Sequence, residues 1–282
     1  MHPEQAPVLQ RRLRPLLGCY VEVAVAALRP GAQADAAIDA AYATMQRVHD
    51  SLGFHSPASE LTRLNQARGR AVRLTPLALR VLRLARAMTT LSAGAFNCTV
   101  GGALVSAARL PDHGGGPYLQ HGEAADLILT SGRAQLRRPV LVTLDGIAKG
   151  YAVDAAIACL KRSGVLAGWV NAGGDLRVFG DCTLPLRIRS AGAPAAATWG
   201  VRNAAVASSG GQPGDAGDFP GLLVDGSGTA LAEAGCVSVI ATRAWRADAL
   251  TKVAACTTGR HRDELLRRLG GRLVAQPEAR AA

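Results

Sequence analysis

An α+β fold, with mixed sheets and packing helices in two lobes, is the architecture this sequence predicts, and three observations predict it. Residues 34–48 and 75–91 carry apolar side chains at helical spacing, whereas residues 17–27, 140–144, 168–170 and 235–241 are short apolar runs of strand length. Glycine-bearing turns join strand to helix at 145–150 and strand to strand at 171–175. The chain has 282 residues, 49% hydrophobic and 19% charged, which suits a globular protein with a sizeable core.

Composition also excludes several functional classes. The net charge of +11 raises nucleic acid and membrane surfaces as partners, but the arginines are dispersed, aromatic residues are only 4%, and no nucleic-acid-binding module is visible. No apolar run is long enough to insert in a membrane. A cationic surface for anionic dinucleotides or acidic partners remains. The six cysteines lack the paired spacing of a zinc site, so free, mostly buried thiols in a reducing compartment are expected. Leu16-Leu17-Gly18-Cys19 looks like a lipoprotein box, but no apolar segment fits between Arg11-Arg12 and Cys19; a cytoplasmic location is therefore expected.

Taken in order, residues 1–15 read as a flexible polar arm and 17–27 as the first strand. Residues 34–48 form a packing helix around Ile38, Tyr42, Met45 and Val48. Residues 51–65 form a loop in which Ser59 caps a short helix, and Thr75 with Pro76 opens a second amphipathic helix. The glycines of 111–117 suggest a flexible connector between lobes, with His113 and His121 solvated in or beside it. A buried strand over 140–144 then leads into a helix from Ala148 to Leu160. Residues 168–170 and 176–179 are strands around a tight turn, 184–190 is a strand, 191–198 a low-complexity loop, and 208–211 either a turn or a phosphate site. After the strand at 235–241, a helix opens near Ala247, and 260–274 gives a helix and a final strand. Residues 16–274 form the one two-lobed domain, and 275–282 a disordered tail.

Chemistry concentrates in the two glycine-bearing turns. Gly146 and Gly150 flank Lys149; Gly173 and Gly174 lie between Asn171 and Asp175. Such glycines either make turns only or let backbone N–H groups approach an anion, and the added Asp145, Lys149, Asn171 and Asp175 favour the second. The only lysines are Lys149, Lys161 and Lys252, against a background of arginine. Lysine is a compact point charge suited to one phosphate oxygen. Asp248, Thr251 and Lys252 fall at i, i+3 and i+4 of a helix and can converge. Phe96, beside a glycine-bearing loop, is either core or a platform for a planar ring.

GIAKGYAVD at 146–154, NAGGDLRVFG at 171–180, SSGG at 208–211 and SVIATRAWRADALTK at 238–252 together resemble the ordered motifs of the ApbE family; GFHSPASELTRLN at 53–65 and FNCTVGGAL at 96–104 extend the likeness. The resemblance implies a T-fold-like architecture and an FAD:protein FMN transferase, which passes FMN from FAD to a threonine or serine of an acceptor protein and releases AMP. It implies a flavin site using Phe96, Gly146, Lys149, Gly150, Asn171, Gly173, Gly174, Asp175, Ser209 and Gly210, walled by Ser59 and Asn65. It also implies catalytic roles for Asp248 and Lys252, with Mg2+ held by Asp248, Thr251, Asp145 and the Ala148 carbonyl. Two positions depart from the family pattern: Lys252 stands where a hydroxyl is usual, and Leu222 where a histidine is usual. An FAD-binding protein without transferase activity and a hydrolase giving FMN and AMP are the alternatives.

Overall fold

The computed structural model describes residues 9–114, 116–187, 198–210, 223–231 and 236–274. Strand β1 (Gln10–Leu16) and strand β2 (Cys19–Leu28) form an antiparallel hairpin that pairs Leu16 with Cys19. Leu17 and Gly18, at φ of 58° and 71°, supply the left-handed geometry that a two-residue hairpin needs. The arm expected over residues 1–15 is thus a strand from Gln10 onward. It reads as an arm because an edge strand exposes most of its side chains, here Arg11, Leu13 and Arg14 among them.

Helix α1 (Ala34–Leu52) lays Ile38, Met45 and Val48 into the core, and its Tyr42 hydroxyl reaches the Val21 carbonyl at 2.9 Å. Helix α2 (Glu60–Asn65) starts at Ser59, whose hydroxyl accepts from the Thr62 N–H at 3.0 Å. Helix α3 (Pro76–Leu91) starts at Thr75 in the same way, with proline in its first turn. Helix α4 (Gly101–Ser106) follows. A small sheet of β3 (Val72–Arg73), β4 (Leu127–Thr130) and β5 (Arg133–Leu136), in the order β3-β5-β4, was not anticipated, because its strands are too short to show alternation.

Residues 140–144 are buried but form no strand. One parallel bridge joins Val100 to Leu141, and the Asn65 amide meets both backbone groups of Val142, donating at 2.9 Å and accepting at 2.8 Å. Side-chain amide bonds replace a neighbouring strand there. His113, expected to be solvated, instead lies with Nε2 2.6 Å from the Phe54 carbonyl.

Helix α5 (Ala148–Arg162) leads to a hairpin of β6 (Val165–Ala172) and β7 (Asp175–Phe179). Strands β8 (Leu184–Arg187) and β9 (Thr198–Val201) pair separately. Strand β10 (Ala205–Ser209) absorbs the two serines expected in a turn, and β11 (Val237–Ala241) runs into helix α6 (Ala244–Ala255). Helix α7 (Gly259–Arg268) and strand β12 (Gly271–Leu273) complete the described chain; the tail expected at 275–282 lies outside it.

The main sheet runs β1-β2-β6-β7-β10-β11-β12, antiparallel at every pairing. Helices α1, α5 and α6 bury Ile38, Ile157 and Leu250 against one face within a contiguous core that extends to Leu127 of the small sheet. A lesser cluster of Trp169, Val178, Val201 and Val206 fills the opposite face. The fold is α+β, as expected, and α6 packs on β10 and β11 with its first turn against the start of α5. That packing positions the site.

Candidate functional site

Asp248, Thr251 and Lys252 occupy one face of α6, with Asp248 1% and Thr251 0% exposed. Lys252 Nζ donates to Asp248 Oδ1 at 2.6 Å and to Ser209 Oγ, at the end of β10, at 3.0 Å. Ser209 Oγ lies 2.7 Å from Thr251 Oγ1, and Thr251 Oγ1 donates to the Asp248 carbonyl at 2.7 Å. The ammonium has only protons to give and the last carbonyl only lone pairs. The hydroxyl protons therefore run one way, from Lys252 through Ser209 and Thr251 to the backbone of Asp248.

The remaining oxygen of Asp248, Oδ2, accepts from the Gly150 N–H at 3.2 Å. Only glycine allows this approach. A Cβ at position 150 would lie 2.4 Å from the Ala244 carbonyl oxygen and 2.7 Å from Trp245 Cα, so the first turn of α5 abuts the first turn of α6 through a missing side chain.

Lys149 extends from the same turn of α5 to Asp175, the first residue of β7, at 3.3 Å. Asp175 is buried, and its Oδ2 has no hydrogen-bond partner; the ammonium is near in charge but not aligned to donate. Desolvation raises the Asp175 pKa, Asp248 raises it further, and the two lysines only partly oppose this. Burial disfavours the Lys149 ammonium, but the charges of Asp175 and Asp248 outweigh it and raise the Lys149 pKa. The β6–β7 turn is Gly173-Gly174, at φ of 58° and 98°, with Asn171 Oδ1 accepting from the Gly174 N–H at 3.1 Å. A Cβ on Gly173 would sit 3.9 Å from Lys149 Nζ, so the two glycine-bearing segments do meet.

A cavity of about 310 Å³ opens beside Lys252, lined by Phe96, Asp145, Gly146, Ser209, Gly210 and Asp225 among others. That volume is at the lower end of the roughly 300–1,000 Å³ typical of small-molecule sites. Asp145 keeps one side open to solvent while protein encloses the others; desolvation raises its pKa against the opposing charges of His55 and Lys252. Asp225 and Asn97 were not anticipated. Asp225 Oδ1 gathers the Ser227 N–H at 2.8 Å and the Thr229 N–H at 3.0 Å, and Asn97 donates to the Gly226 carbonyl at 2.8 Å, which fixes this loop on the cavity wall. The run Asp225-Gly226-Ser227 was the available signal, since aspartate before glycine and serine favours a side-chain-closed turn.

Ser59 and Asn65 are not brought to this cavity. Ser59 is 1% exposed and committed to capping α2, and Asn65 lines a different depression of about 450 Å³ beside Arg68, Arg137 and Tyr118. Leu222 lies outside the described residues. Two cysteines, Cys98 and Cys159, are buried and the other four are half-buried, all six as free thiols. Among the described residues no helix is long and apolar enough to cross a membrane.

The residues expected to hold Mg2+ do not fit that ion. Magnesium requires six oxygen ligands at about 2.0–2.1 Å. The Lys252 ammonium, 2.6 Å from Asp248 Oδ1, would crowd a dication bound to that carboxylate, and Thr251 Oγ1 is engaged with both the Asp248 carbonyl and Ser209. Among the described residues, no three of His, Cys, Asp and Glu gather in one place.

A family model described as the ApbE family matches residues 17–275. Among solved structures, the apbe protein of Thermotoga maritima superposes with a TM-score of 0.82 at 22% identity, covering 94% of this chain and 93% of that one. The Pseudomonas stutzeri flavinyl transferase ApbE in its apo form gives 0.80 at 19% identity, covering 93% and 88%. The Vibrio cholerae flavin transferase ApbE gives 0.78 at 19% identity, covering 93% and 91%. At these identities the likeness establishes a shared fold. Among proteins of curated function, none matches the chain in sequence.

Proposed function

The chain belongs to the ApbE family, and on that premise we propose that it is an FAD:protein FMN transferase. Its substrates are FAD and an acceptor protein presenting a threonine or serine. The acceptor oxygen bonds to the phosphorus of the FMN half, the pyrophosphate P–O bond breaks, and AMP leaves with the bridging oxygen. The observation that carries this reading is the convergence, in one cavity, of the Lys252 ammonium with Gly146, Phe96 and the Ser209-Gly210 end of β10.

Phosphoryl transfer depends chiefly on positioning and charge stabilisation, which a fixed ammonium and backbone donors supply. Lys252 neutralises the developing charge on the pyrophosphate, and Lys149 and the Gly173-Gly174 turn bind its flank. Gly146 leaves room for the ring system beside Phe96, and Gly210 bounds the far wall. Asp145, a carboxylate on the cavity wall beside Gly146, takes the acceptor's proton.

Incubation of the purified chain with FAD and a threonine-containing acceptor should yield AMP and an acceptor heavier by one FMN moiety, both read by mass spectrometry. Free FMN with AMP and no modified acceptor would indicate hydrolysis instead. FAD retained intact on the protein would indicate a binding protein.

A further inference from the structure

We propose that the Lys252 ammonium, held by Asp248 and Ser209, itself supplies the cationic charge to the substrate pyrophosphate, so that this chain binds and cleaves its dinucleotide without a metal. The inference rests on the FAD reading above. It starts from the surroundings of Asp248. Lys252 Nζ lies 2.6 Å from one carboxylate oxygen and the Gly150 N–H 3.2 Å from the other. The carboxylate keeps further lone pairs, but a dication bound to them would sit beside the ammonium, and two cations would contend for one buried carboxylate.

The surrounding oxygens point the same way. Thr251 Oγ1 donates to the Asp248 carbonyl and accepts from Ser209, and Ser209 accepts from the ammonium itself. Lys252, Ser209, Thr251 and Asp248 thus close a ring in which the ammonium is the cation. The lysine stem passes beside Gly146, where a Cβ would come 3.3 Å from Lys252 Cε and 3.6 Å from its Cδ, and both residues line the cavity. Its tip reaches the cavity wall formed by Ser209 and Gly210.

Residue choice agrees. The chain has 32 Lys and Arg residues together, of which only Lys149, Lys161 and Lys252 are lysine. An arginine fork requires a planar, bidentate acceptor, whereas an ammonium donates in three directions from a small volume, as a cation shared by a carboxylate, a hydroxyl and a phosphate must. In the transfer step no further co-reactant is needed: the P–O bond to the acceptor forms, the P–O bond to AMP breaks, and the acceptor's proton passes to Asp145.

The test measures binding as well as turnover. FAD affinity, followed by flavin fluorescence, should agree within about two-fold between Mg2+ and chelator for the unaltered chain, which should also bind no stoichiometric Mn2+ by electron paramagnetic resonance. Lys252→Thr should bind FAD at least about ten-fold more weakly in chelator, recover with Mg2+, and acquire one Mn2+. Lys252→Met, which keeps the length of the stem and removes the charge, should lose at least about ten-fold in FAD affinity in chelator and serves if the threonine variant does not fold. A wild-type affinity that falls about ten-fold in chelator, or one Mn2+ bound per unaltered chain, would overturn the inference while leaving the FAD reading intact. An unaltered chain that binds no FAD under either condition would overturn the FAD reading, and this inference with it.

Discussion

Asp126 and Asp175 are both buried aspartates near two basic side chains, yet the protein treats them in opposite ways. Asp126 is saturated: Arg138 donates to it at 2.7 and 2.5 Å, Arg137 at 3.4 Å, and the Glu123 N–H at 2.8 Å. Hydrogen bonds from Arg138 lower its pKa, over a desolvation penalty that stays modest because the group is covered yet close to the surface. Asp175 has one lysine at 3.3 Å, an oxygen without a hydrogen bond, and a raised pKa set first by desolvation. The first cluster is finished by its own chain and ties the small sheet to its loop. The second leaves an acceptor unfilled in the protein interior, beside the helix that carries Asp248. A cluster's unsatisfied bonds, more than its charge, separate a site from a scaffold.

The sharpest way to break this contrast is Asp248→Ala. It strands Lys252 and the Gly150 N–H, and AMP release should fall at least about a hundred-fold in a discontinuous assay. Asp126→Ala should do the reverse, costing about 2–3 kcal/mol of stability in urea denaturation with FAD affinity unchanged. That figure lies below the roughly 3–5 kcal/mol for a fully buried pair because the two arginines are 54% and 42% exposed and can turn to water. Lys149→Met should weaken FAD binding about ten-fold, read by fluorescence titration, with little change in the cavity beside Lys252.

The smallest effect sharpens the contrast through pH. A depressed folded pKa makes the stability from Asp126 complete above the ordinary aspartate value near about 4, and this stability is lost as pH falls through the lower folded value. A raised folded pKa acts oppositely: the penalty for the charged Asp175 is relieved as pH falls through its folded value toward the ordinary one. Asp175→Asn should therefore flatten the melting temperature between neutral and mildly acid pH, where wild-type stability should rise on acidification. Unchanged curvature in the variant would show that Asp175 is paired as fully as Asp126.

Much of the fold was legible because its signals are local. Ser59 and Thr75 cap helices where an oxygen side chain precedes a helical pattern, and Gly173-Gly174 can hardly be anything but a turn. Strand β1 was hidden by its arginines, and residues 140–144 misled because Asn65, far away in sequence, does the work of a neighbouring strand. In the site, the meeting of Asp248, Thr251 and Lys252 follows from helical spacing alone. Ser209 as their fourth member does not, since it depends on where β10 ends relative to α6. Asp225 and Asn97 escaped notice for the same reason: one is a turn residue and the other a loop amide until the fold places them on a common wall.

The contact at Gly150 makes the spacing of two helices depend on one missing side chain. Helix α6 carries Asp248, Thr251 and Lys252 as one rigid piece, and its distance from α5 is set by the absence of a single carbon 2.4 Å from the Ala244 carbonyl. One methyl group at that point would act as a wedge, lifting the whole constellation away from Ser209 and the glycine turns without altering any charged atom. On the transferase reading, adding one carbon at this position would slow AMP release while leaving every carboxylate and ammonium in the chain.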